Sequence, residues 1–125
     1  MPTSLPIALV DDNPLVCASL DSLIRSAGMT TRTFSGGKAL LDFAGLAEIA
    51  CVITDLNMPG MNGLALQTEL LARGHHTPII FMTAFPTQEA QQRALSAGAI
   101  AFLTKPISPQ ILLQTLEQTL DQGLA

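Results

Sequence analysis

The sequence predicts an α/β fold, a doubly wound (βα)5 domain in which five strands and five helices alternate around one parallel sheet. Two observations carry this prediction. Short apolar runs with β-branched residues recur at 5–10, 29–34, 49–54, 78–83 and 99–104, and stretches with helical spacing separate them. The first, third and fourth runs are almost wholly apolar, as strands covered by helices on both faces must be. A chain of 125 residues is about one domain long, and 48% hydrophobic against 13% charged residues gives it the material for a core.

Each element has a local cause. LPIALV (5–10) opens as strand 1. Asn13 then offers a helix cap, and Pro14 takes the first-turn position, where its missing N–H is no loss. Val16, Leu20, Leu23, Ile24 and Ala27 follow on one helical stripe, which Gly28 closes. MTTRTF (29–34) makes strand 2, polar enough to be an edge. Residues 36–45 are expected to form helix 2, IACVIT (49–54) strand 3, and residues 63–73 helix 3. PIIFMT (78–83) is strand 4, residues 87–97 are helix 4 with Gly98 past its end, and AIAFLT (99–104) is strand 5. Ser108-Pro109 starts a last helix carrying Leu112, Leu116 and Leu120.

Composition excludes several functions. A net charge of −4 and a pI of about 4.8 leave no basic face for nucleic-acid phosphates, so direct DNA binding is not expected. No apolar run approaches membrane-spanning length and no basic-then-apolar leader opens the chain, which is expected to be cytoplasmic. Cys17 and Cys51 stand apart without C-x-x-C spacing and read as core residues; His75 and His76 fall at the sheet edge opposite the strand carboxyl ends.

Those carboxyl ends carry the chemistry. In an open parallel sheet, ligands bind outside them, near the point where strand order reverses. Asp11 and Asp12 end strand 1, Asp55 ends strand 3, Thr83 ends strand 4 and Lys105 follows strand 5. Any one Asp after a strand reads as a turn or cap residue; five polar residues at four strand ends do not. Three clustered carboxylates repel unless a cation lies among them, and Mg2+ suits a site that must also admit phosphate oxygens. Lys105 supplies a point charge for a phosphoryl group, Thr83 a hydroxyl donor, and Asp55, on the turn of Pro59, Gly60 and Gly63, a nucleophilic carboxylate.

The segments LVDDN, VITDLNMPGMNG, IIFMTA and GAIAFLTKP resemble, in order and over essentially the whole chain, the signature segments of response regulator receiver domains of two-component systems, most closely those of the FixJ subfamily. The resemblance implies a sheet of order 2-1-3-4-5 and transfer of a phosphoryl group from a histidine kinase or phosphotransfer protein onto Asp55. It implies Mg2+ held by Asp11, Asp12, Asp55 and the backbone carbonyl of Asn57. Thr83 matches the switch hydroxyl, Phe102 the switch aromatic and Lys105 the family lysine, whose bond to Pro106 is expected to be cis. Phe102 stands where Tyr is frequent, so it can swing but not hydrogen-bond through a hydroxyl.

The implied product is a signalling receiver, not a metabolic enzyme: it catalyses only its own phosphorylation and dephosphorylation. The face of helix 4, strand 5 and helix 5 would switch to regulate an output such as transcription, pairing with a partner or with a second copy. Residues 1–125 are expected to be a single receiver domain, with any output domain beyond Ala125. A phosphohydrolase working through an aspartyl phosphate would want an Asp where Asn57 stands, and a degenerate receiver would have lost an acid or the lysine. Phe85, two places after Thr83, is expected to cover the water path to a phosphorylated Asp55.

Overall fold

The structure, a computed structural model, describes residues 5–124, with side chains through Leu120. Residues 1–4, on which part of the expectation about a leader rests, lie outside the described residues. The elements run β1 (Ile7–Val10), α1 (Pro14–Ser26), β2 (Thr31–Phe34), α2 (Gly37–Leu41), a 3-10 turn (Leu46–Glu48), β3 (Cys51–Asp55), α3 (Gly63–Ala72), β4 (Ile79–Thr83), α4 (Gln88–Ser96), β5 (Ala101–Thr104) and α5 (Pro109–Leu124). All strand pairs are parallel, in the order β2-β1-β3-β4-β5. The predicted fold class and strand order are both observed, and β2 lies at an edge.

Strand alternation divides the core in two. Ala8, Val10, Val52 and Phe81 face α2, α3 and α4 through Leu40, Leu66, Leu70 and Ala94. Ile7, Leu9, Ile53, Ile80 and Met82 point the other way, against Leu20 and Ile24 of α1 and Leu112 and Leu116 of α5. Because both faces are covered, β1, β3 and β4 are buried along their whole length. Each such Leu or Ile contributes roughly 1.5–3 kcal/mol by leaving water.

The structure corrects several boundaries. Helix 2, expected over 36–45, stops at Leu41: the Phe43 N–H turns back to the Leu40 carbonyl at 3.0 Å, which brings the Phe43 ring edge-on to Phe34, centroids 5.3 Å apart. Strands 2 and 5 begin later than the apolar runs because their first residues close the preceding helices. The N–H groups of Met29 and Ala99 reach back to the carbonyls of Ile24 and Ala94, across Gly28 and Gly98 at φ 89° and 104°.

Candidate functional site

Four strand ends deliver the predicted residues to one edge of the sheet. Asn13 caps α1 by accepting the Leu15 N–H at 2.9 Å, and the tight start that this imposes follows directly on Asp11 and Asp12. Asp11 is 2% exposed; its Oδ1 accepts the Asn13 N–H at 2.9 Å and its Oδ2 accepts from Lys105 Nζ at 3.1 Å. Asp12 is exposed, and Asp55, closing β3, is 7% exposed. Lys105 Nζ also lies 3.4 Å from Asp55 Oδ1, so one ammonium spans two carboxylates. Carboxylate oxygens of Asp11, Asp12 and Asp55 all lie within 4.8 Å of one another, a spacing that suits a single divalent cation.

Lys105 is placed by the ladder. Its N–H donates to the Thr83 carbonyl at 2.8 Å, one step past the Thr83–Thr104 pair, and the following bond to Pro106 is cis as expected. Thr83 is fully buried. Its Oγ1 accepts from Asn57 Nδ2 and from the Phe85 N–H, each at 3.0 Å. Phe102 is half-buried, with its ring tilted 41° to that of Phe81 at a centroid distance of 6.3 Å.

Electrostatics follow from this crowding. Burial holds the Asp55 carboxyl above its ordinary 3.8; Lys105 opposes the shift and the neighbouring Asp11 charge reinforces it. Burial works against the Lys105 ammonium, but its hydrogen bond and attraction to Asp11, then to Asp55, more than offset that and hold the lysine above 10.5.

Two features of the site were not anticipated. Gly63 lets α3 begin against the acceptor strand: a Cβ there would stand 2.7 Å from the Asp55 carbonyl oxygen and 2.9 Å from the Phe81 ring. A glycine in the first helical position, after the Asn62 cap, was the available signal, since nothing in helix propensity favours it. The hydrogen bond between Asn57 and Thr83 had no signal in sequence spacing. Phe85, expected to cover the water path, is 76% exposed to solvent, and its backbone N–H is what reaches the site. His75 and His76 lie before β4, at the opposite sheet edge, half-buried and exposed. Among the described residues, no helix is long and apolar enough to cross a membrane.

Comparison with known proteins agrees with this geometry. Residues 7–117 match the family model described as response regulator receiver domain. The chain is 35% identical over 123 residues to the transcriptional regulatory protein FixJ of Azorhizobium caulinodans, covering 98% of this chain and 58% of that one. It is 38% identical over 114 residues to the response regulator protein TmoT of Ectopseudomonas mendocina, covering 91% and 52%. The chain thus spans little more than half the length of these relatives. The crystal structure of FixJ-N superimposes with a TM-score of 0.83 at 26% identity, over 95% of this chain and 94% of that one.

Proposed function

This chain belongs to the family of response regulator receiver domains, and on that premise we propose that it accepts a phosphoryl group on Asp55 from a histidine kinase or phosphotransfer protein. The observation that carries the proposal is the ammonium of Lys105 standing 3.1 Å from Asp11 and 3.4 Å from Asp55, inside a three-carboxylate cluster, with the buried Thr83 hydroxyl at the next strand end. In the transfer, an Asp55 oxygen attacks phosphorus. The new O–P bond forms as the donor's N–P bond breaks, leaving an acyl phosphate on Asp55 and an imidazole that takes up a proton.

The donor set fits Mg2+: Asp11, Asp12, Asp55 and the Asn57 carbonyl are the groups that would hold it. When bound, the cation supplies charge neutralisation to the phosphoryl oxygens. Lys105 then offers its ammonium to the phosphoryl group, and Thr83 offers its hydroxyl. Drawing Thr83 toward Asp55 vacates space for Phe102 to turn inward, which repacks the face of α4, β5 and α5. That region carries exposed apolar residues, Leu95 at 44%, Ile100 at 41% and Ile111 at 51%, suited to pairing with a second copy. Relatives that are transcriptional regulators support a transcriptional output.

The test is incubation with Mg2+ and a small phosphodonor such as acetyl phosphate, read by intact mass. One phosphoryl group is expected on the parent protein and none on Asp55→Asn; labelling that survives this substitution in a folded protein overturns the assignment.

A further inference from the structure

Thr83 is held from two sides. Its Oγ1 accepts from Asn57 Nδ2 and from the Phe85 backbone N–H, both at 3.0 Å. A hydroxyl oxygen has two lone pairs. With both engaged, the one function left to Thr83 is its O–H donor, the group a phosphoryl oxygen would need. The backbone beneath it is fixed: Thr83 pairs with Thr104 in register, and its carbonyl accepts the Lys105 N–H at 2.8 Å. Motion is therefore confined to the side chain, and a β-branched side chain moves between discrete χ1 states rather than drifting.

The geometry points to Asn57 as a positioning residue whose side-chain amide latches the Thr83 hydroxyl in its resting place. The latch rests on Thr83 being the switch residue, and it gives a second role to a residue otherwise assigned only through its backbone carbonyl. Its strength suits a switch. Thr83 is fully buried whereas Asn57 is exposed. When the bond breaks, the Asn57 amide passes to water without penalty, so the latch biases the resting state only by the net worth of one hydrogen bond, roughly two- to tenfold in population. A stronger hold would resist the phosphoryl group; with none, Thr83 would move without it.

Phe85 provides the reporter. Its residue stands in solvent, and its N–H is covered by Thr83 Oγ1, so the exchange rate of this amide follows where the hydroxyl sits. In the unphosphorylated, metal-free protein, Asn57→Ala is expected to raise Phe85 amide exchange roughly two- to tenfold, while the amides of Val52 and Ile53 in β3 keep their rates. Asn57→Leu, of similar size but without a donor, is expected to do the same and serves if the alanine variant folds poorly. Thr83→Val removes the acceptor and sets the ceiling; adding Asn57→Ala to it should change nothing further. An unchanged Phe85 rate in both Asn57 variants, or an equal effect of Asn57→Ala with and without the Thr83 hydroxyl, overturns the latch. No phosphodonor is used, so that failure is separate from any failure of Asp55 to be labelled.

Discussion

Replacing Gly63 with alanine sets helix propensity against packing, and the two predict opposite signs. Gly63 is the first residue of α3, and propensity alone credits Gly→Ala with up to about 1 kcal/mol. The added Cβ, however, would stand 2.7 Å from the Asp55 carbonyl oxygen, 2.9 Å from Phe81 Cε1 and 3.1 Å from Leu56 Cα. None of these can yield cheaply. The Asp55 carbonyl accepts the Thr54 hydroxyl at 3.0 Å, the Leu56 N–H is bonded to the Met82 carbonyl at 2.8 Å, and Phe81 is fully buried. Overpacking against fixed neighbours costs about 1–3 kcal/mol, so after the propensity gain the net expectation is a loss centred on roughly 1 kcal/mol. With about 2.1 cal/mol/K of unfolding entropy per residue over 125 residues, that loss lowers Tm by about 4 °C. Urea or thermal unfolding of the metal-free protein measures it. Gly36→Ala is the control, since its Cβ meets nothing within 4 Å and its φ of −175° is ordinary extended backbone. If Gly63→Ala is as stable as the parent, α3 does not bear on the Asp55 backbone as described.

Two further outcomes are expected. Burial pushes the Cys51 thiol from 9.0 up to about 12, so its contribution is complete below pH 9 and is lost as pH rises toward the folded value; at pH 10 the loss is on the order of 1 kcal/mol. Urea unfolding at pH 8 and pH 10 should show it in the parent and not in Cys51→Ala, and parallel pH curves would refute it. For the output face, beryllofluoride with Mg2+ should double the sedimenting mass of the parent domain but not of Leu95→Asp; an unchanged parent mass would remove the self-pairing proposal.

Periodicity made the fold legible because β1, β3 and β4 are covered on both faces and leave unbroken apolar runs, which few arrangements besides a parallel sheet can absorb. The residues of the candidate site were legible for a related reason: Asp11, Asp55, Thr83 and Lys105 are polar residues placed where such runs stop, and a parallel sheet brings its carboxyl ends together. Helix 2 was not legible in extent. Its end is set by Phe43 packing on Phe34, a contact across elements that no local pattern encodes. The Asn57–Thr83 bond joins residues 26 apart and depends on the loop after β3, where spacing says nothing of direction. Phe85 was read by chemical type, a large apolar side chain beside a site suggesting a cover; the residue is exposed, and its main-chain N–H is what bonds the Thr83 hydroxyl.

The charge balance of the cluster explains why a hydroxyl should be the moving part. Three carboxylates, those of Asp11, Asp12 and Asp55, stand beside one ammonium, Lys105, which pairs with Asp11 and Asp55. Burial first, and then the Asp11 charge, raise the proton affinity of Asp55, and three carboxylates against one ammonium leave the cluster short of positive charge. A divalent cation would close that deficit. Phosphorylation of Asp55, as proposed, would reopen it, because a phosphoryl group carries about −1.5 to −2 where the carboxylate carried one charge. Lys105 would then divide its one ammonium between the new oxygens and Asp11, from which its Nζ lies 3.1 Å. The remaining demand would fall on the nearest group with a donor to offer. Thr83 has one because Asn57 and Phe85 already fill its lone pairs, so the contacts that hold it at rest also keep its O–H available for a phosphorylated Asp55.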